Sequence, residues 1–279
     1  MSCFSQPFMQ HAFLAGSGIA LASGLVGYFV VLRAQVFTGD ALSHVAFTGA
    51  LAALAAGLDA RVGLFALAIA VGLLMGAIGP KGRANDAVIG SVFAWILGLG
   101  VLFLSIYTTS RSARTGHASV SVLFGSILGL SGRQAALSAA SALAVVVLLL
   151  LVARPLLFAS VDESVAAARG VPVRALGVGF LALVGAAAAL SAQAVGALLL
   201  LGLLAAPAGT AQRLTARPYL ALALSAVLSV GEMWVGLILS YSVPRVPPSF
   251  AILAVATAVY FGVLGASRLR RGARLIGAG

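Results

Sequence analysis

The sequence predicts an all-α, polytopic membrane protein. Three observations carry that prediction. Only 8% of the 279 residues are charged and 62% are hydrophobic, whereas soluble domains carry roughly a quarter charged residues. The apolar residues fall in runs of about 20, the length that crosses a bilayer as a helix. The 33 glycines lie mostly inside those runs, which suits helices packed through small residues in lipid. No shift in composition marks a soluble domain, so a single transmembrane domain over residues 1–279 is expected.

In chain order, the first ten residues lack the basic start of a cleaved signal peptide, so the first span, residues 12–31, is expected to stay as an anchor. It holds Gly16, Gly18, Gly24 and Gly27, and Arg33 ends it. The second span, residues 42–58, is short and opens on Asp40 and His44. The third, 62–78, carries Gly72 and Gly76 on one face. A basic turn at 80–86 leads to the fourth span, 88–106. After a polar loop over 108–117, residues 120–130 are apolar but too short to cross, which reads as a re-entrant or interfacial segment.

The next span, 137–152, is closed by Arg154-Pro155. The longest polar interruption follows at 160–174. It carries the signals of a short helix lying along the membrane: Ser160 or Asp162 to cap it, acids in its first turn, Arg169 in its last, and Gly170 to stop it. Spans 176–190, 195–206 (ending at Pro207), 220–239 (containing Glu232) and 250–264 complete the chain, before a basic tail at 268–274. About eight or nine crossings plus short half-helices result.

The net charge of +11 fits cytoplasmic loops under the positive-inside rule. The arginines form no stripe interleaved with aromatics, which argues against nucleic-acid binding. Cys3 is the single cysteine, so no internal disulfide and no cysteine metal cluster is possible. No GxxxxGK[ST] loop is present, so the chain does not hydrolyse ATP by that device.

Asp40 and His44 are four residues apart, about one helical turn, so they project from one face. A carboxylate oxygen with a neutral imidazole suits zinc and manganese, and ionisable groups at membrane depth mark pathways. Asp40 is also placed to cap the helix that follows. Glu232 is the acid inside a long span, either bonded to a neighbouring helix or a second ligand of the path. His11 and His117 sit near membrane faces and are weaker metal candidates.

Three stretches together resemble one family: Val30-Val-Leu-Arg33, Gly39-Asp-Ala-Leu-Ser-His44, and residues 194–213 with their Pro207-Ala-Gly-Thr-Ala-Gln-Arg213 close. They are similar to the membrane-spanning permeases of zinc/manganese/iron-type ABC importers. The start at Pro7–Gly16 and Asp86-Ala-Val-Ile-Gly90 look like that family too, and the likeness covers nearly the whole chain. The chain departs from the family at His11 and Ala34, where a basic residue is common, and in the last external loop, 241–249, which has no acid.

The resemblance implies import of a divalent transition metal through a path formed by two copies of the permease in a bacterial inner membrane. Zinc is favoured and manganese comes next. An ATPase docks on the cytoplasmic face, an extracytoplasmic binding protein delivers the metal, and membrane lipid surrounds the whole. The metal is cargo, with no permanently bound cofactor and no catalysis by this chain. Asp40 and His44 match the family's metal path. Asp162, Glu163, Ala166, Ala167, Arg169 and Gly170 match its ATPase-coupling segment. Two alternatives keep less of this picture: an ABC permease for an organic chelate or cofactor, and a stand-alone secondary transporter. The scarcity of acids inside the membrane counts against the second.

Overall fold

Apolar runs with few breakers settle into ten α-helices and a 3-10 turn in a computed structural model that describes residues 6–79, 82–110, 125, 127–194, 196–197, 200–243 and 245–276. The helices are α1 (Pro7–Leu32), α2 (Val36–Ala55), α3 (Ala60–Ile78), α4 (Asp86–Ser110), α5 (Gly132–Val161), α6 (Glu163–Ala168), α7 (Val173–Ala194), α8 (Leu200–Leu214), α9 (Pro218–Ser242) and α10 (Pro248–Ile276). No strand occurs among the described residues. His117 and most of the expected 120–130 half-helix lie outside them. Of that segment, Ile127–Gly129 forms the 3-10 turn, packed on α1.

The bundle has two lobes that share α7. Helix α1 is the buried pillar of one, in contact with α5, α8 and α9, while α10 closes against α8 and α9. The other lobe is α2 between α3 and α4. Helix α7 touches α1, α2, α3 and α5. In lipid such contacts gain from close van der Waals packing rather than from apolar burial. The α2–α3 crossing shows the limit of that approach. A Cβ on Gly49 would collide with the Gly63 carbonyl, and one on Gly63 with the Gly49 carbonyl. Gly72 and Gly76 share a face as the sequence predicts, and it lies against Val178 and Leu181 of α7.

The helix ends sort by charge. Arg174 Nη2 donates to Ala77 O, tying the head of α7 to the end of α3. Gln212 Nε2 donates to Tyr28 O, tying the end of α8 to the last turns of α1. Arg33, Arg83, Arg154, Arg169, Arg174, Arg213 and Arg217 therefore gather at one end of the bundle, against Arg61, Arg133 and Arg245 at the other. The basic end is cytoplasmic by the positive-inside rule.

Among the described residues, seven helices are long and apolar enough to span a membrane: α1, α3, α4, α5, α7, α9 and α10. The eight or nine expected crossings exceed this because two helices of the bundle fall short. Helix α2 is 20 residues long but carries Thr38, Asp40, Ser43, His44 and Thr48. Helix α8 has 15 residues, about 22 Å of rise.

Two expected helix stops also prove wrong. Helix α5 runs through Arg154-Pro155 to Val161, and α8 runs through Pro207 to Leu214. A proline removes one N–H and frees the carbonyl four residues back, but packing from neighbouring helices keeps the rest of the ladder together. At its start α5 has a full capping box. Ser131 Oγ accepts from Gln134 N, and Gln134 Oε1 accepts from Ser131 N.

Candidate functional site

Helix α2 begins at Val36, with Gln35 at the N-cap. This corrects two expectations: the span does not open at residue 42, and Asp40 does not cap it. Asp40 is one turn inside the helix and His44 one turn further. At about 1.5 Å per residue, His44 lies roughly 12 Å along the helix from its cytoplasmic start.

The pair shares the open side of α2. Phe37 is exposed, Asp40, His44 and Phe47 are half-buried, and the residues between them are buried. These four follow the helical i, i+3, i+7, i+10 spacing of one stripe. The His44 ring meets Phe93 of α4 edge-on, with centroids 5.2 Å apart and planes at 76°. Among the described residues no hydrogen bond or ion pair occupies the Asp40 carboxylate.

The backbone behind the pair is pinned on both sides. Ser43 Oγ donates to Asp40 O at 2.7 Å within its own turn and lies 3.0 Å from Ala197 O. Ala197 belongs to the break before α8, next to Gly196 at φ +88°. Non-helical backbone at membrane depth is tolerated where protein buries it or where it lines a cavity. One turn beyond His44, Thr48 Oγ1 donates to Ile96 O of α4 at 3.2 Å. The sequence reading missed both hydroxyl pins. Their signal was a pair of hydroxyl residues recurring within an otherwise apolar helix.

Among the described residues, no group of three or more His, Cys, Asp or Glu side chains could hold a metal ion. Glu232 sits on α9, which packs against α1, α8 and α10 rather than α2. It is 3% exposed, and neither carboxylate oxygen has a hydrogen-bond partner. Its neighbours Ser229 and Met233 abut Gly24 and Gly16 of α1. His11 lies against Gly132 at the outer ends of α1 and α5. The structure thus brings Asp40 and His44 together and leaves Glu232 and His11 apart from them.

A profile of the ABC 3 transport family matches residues 5–266. The chain belongs to the ABC 3 transport family. The manganese transport system membrane protein MntC of Listeria monocytogenes is 28% identical over 255 residues, covering 91% of this chain and 89% of the relative. A probable iron transport system membrane protein of Haemophilus influenzae is 29% identical over 236 residues, covering 84% of each chain. Among solved structures, PsaBC from Streptococcus pneumoniae in complex with Fab shares the fold. It has a TM-score of 0.81 at 24% identity, covering 94% of this chain and 92% of that one. The chain is therefore an ABC permease, a multi-pass component of the bacterial plasma membrane.

The second site of an ABC 3 permease predicted from this sequence is the segment after α5. Asp162 caps α6: its Oδ1 accepts from Val165 N at 2.9 Å and from Ser164 Oγ at 2.7 Å. Those hydrogen bonds hold the carboxyl below its ordinary range. Gly170 ends the helix at φ +79°. Val171 N reaches Ala166 O and Gly170 N reaches Ala167 O, the Schellman closure that needs a left-handed residue. Ala166 is fully buried and faces the bundle, so it anchors α6. Ala167, Ala168, Arg169 and Gly170 are exposed on the cytoplasmic side, and Glu163 is half-buried.

Proposed function

We propose that this permease imports a divalent transition metal, and that Asp40 and His44 touch the ion as it passes. The observation that carries this reading is the placement of an acid and an imidazole, one turn apart, on the one open stripe of an otherwise buried helix. Each copy offers one oxygen and one nitrogen ligand. Two copies facing each other across the open stripe would offer four, enough for a transition metal and few enough to release it. Glu232 remains a candidate gate residue, with a role only if another arrangement brings it to the path.

The carboxylate suits manganese and the imidazole suits zinc. The relatives named for manganese and iron favour those cargoes over zinc, which ligand type alone had put first. Hydrolysis of ATP belongs to a separate ATPase that docks on α6 through Glu163, Ala167, Arg169 and Gly170, while a binding protein supplies metal outside. Asp162 shapes that helix, and Ala166 fastens it to the bundle.

The test is uptake of manganese, iron and zinc into vesicles holding the permease with its ATPase and binding protein. Asp40→Asn and His44→Ala should each abolish ATP-dependent uptake. Unchanged uptake in both would remove the pair from the path and favour an organic chelate as cargo.

A further inference from the structure

Arg33 sits at the joint between α1 and α2, at the cytoplasmic end of the bundle. It is 6% exposed. Its Nη1 reaches Ser160 Oγ in the last turn of α5 at 3.5 Å. That hydroxyl donates to Leu156 O and so has a lone pair left to accept. The guanidinium lies 5.4 Å from the ring centroid of Phe180 on α7, within cation–π range. Burial and the nearby Arg83 charge pull the group down to about 10, while Glu163 at the head of α6 acts the other way. Arg33 is therefore a buried cation at neutral pH, and the Glu163 charge helps to keep it so.

On its other side Arg33 leads directly into the helix that carries the ligand pair. The link is unusual in two ways. First, Ala34 has φ +54°, and among the described residues it is the one non-glycine with positive φ. The turn is a Schellman closure, with Ala34 N on Val31 O and Gln35 N on Val30 O, built without the usual glycine. Second, four buried polar atoms there lack partners: Arg33 Nε, both amide atoms of Gln35, and Thr38 Oγ1. Gln35 is 5% exposed and Thr38 fully buried. Native cores satisfy nearly all such atoms, and exceptions cluster where strain is stored for function. The entry to α2 is a turn whose hydrogen bonds are not all made in this arrangement.

Helix α6 itself packs on α5 and α7, and Arg33 touches both of those helices, through Ser160 and Phe180, where the chain enters α2. We propose that Arg33 is a positioning residue that carries displacement of the docking helix α6, through Ser160 at the end of α5 that leads into it, to the strained Ala34 turn and hence to the Asp40–His44 stretch of α2. Phe180 supplies the surface over which the guanidinium slides. A shift of α6 would draw Arg33, turn the first residues of α2, and let Gln35 and Thr38 find new partners.

This inference rests on the proposed metal import, and its test separates the two. Vesicles holding the whole transporter are assayed for ATP hydrolysis and manganese uptake on the same preparation. Wild-type vesicles that hydrolyse ATP but accumulate no metal would defeat the import reading itself. Given wild-type uptake, Arg33→Gln should keep hydrolysis within about twofold and lower the manganese imported per ATP at least about tenfold, the scale of losing one positioning interaction. Arg33→Lys should recover part of that ratio, since an ammonium keeps the charge and loses the planar stacking. Phe180→Leu, which keeps an apolar side chain, should give an intermediate ratio and serves if Arg33→Gln does not fold. An unchanged ratio in Arg33→Gln or Phe180→Leu overturns the proposal. Hydrolysis and uptake lost in equal proportion overturns it too, because Arg33 would then serve assembly rather than coupling.

Discussion

Asp40 on α2 and Glu232 on α9 are the two carboxylates well inside the helical bundle, and only the first has an open side. Asp40 shares a half-buried stripe with an imidazole, and its backbone is pinned by Ser43. Glu232 is buried on α9, with both oxygens unpartnered and Ser229 Oγ unpartnered one turn away. Both lie within helices of the bundle, and access is what separates them. An ionised carboxylate without partners in a dry interior is costly, so Glu232 is stable only if neutral or supplied with a partner in another arrangement. Asp40 instead faces the open side of α2, where an ion can reach it.

The largest effect is expected where that comparison is sharpest. Losing a direct ligand should exceed the roughly 10–100-fold cost of losing a supporting partner at metal sites. Asp40→Asn and His44→Ala should therefore each lower ATP-dependent manganese uptake at least about 100-fold. Glu232→Gln, which keeps the shape and cannot carry a charge, should stay within about twofold in the same assay. A comparable collapse in Glu232→Gln would erase the distinction and put both acids on the path.

Stability should move in the opposite order. Replacing a buried unpartnered polar group by an apolar one of similar size relieves a desolvation cost of about 1–3 kcal/mol. Glu232→Leu should thus leave the detergent-solubilised protein as stable as wild type or more so, measured by thermal unfolding. A marked loss of stability would mean that Glu232 has a partner that holds α9 to α1.

A smaller effect should come from the pin behind Asp40. Ser43→Ala removes one neutral hydrogen bond, about 1 kcal/mol, and loosens α2 from the Ala197 break without touching either ligand. Uptake should fall several-fold while folding is retained. No change would show that the ligand pair does not depend on a fixed α2 backbone.

The sequence was most informative where its signal was local. Hydrophobic run length and the scarcity of charge gave the all-α membrane class. The spacing of Asp40 and His44 gave their shared face, and the Asp162–Gly170 signals gave a real helix within a residue of its bounds. Stops were misread because a proline's local cost is small beside the packing that holds α5 and α8 together. The depth of Asp40 was misread because Thr38 and Asp40 look like a polar start, whereas α2 carries them inside. Burial could not be read at all. Arg33 looked like a span terminator, and nothing local distinguishes a basic end from a cation buried against α5 and α7.

A third carboxylate tests whether environment rather than residue type sets these roles. Asp162 is fully in water and fully hydrogen-bonded, and its carboxyl is held below the ordinary value of 3.8 by Val165 N and Ser164 Oγ. A depressed value in the folded state means that the cap supports α6 fully above the unfolded value. The support then fades as pH falls through the lowered folded value. Amide exchange over residues 163–169 should accordingly follow the ordinary base-catalysed trend from pH 8 to about 5, with no added loss of protection until below 3.8. Asp162→Asn should keep most of the protection, since its side-chain oxygen still caps, and Asp162→Ala should lose part of it at every pH. Protection lost near neutral pH in the wild-type protein would mean that a group other than Asp162 holds α6 in place.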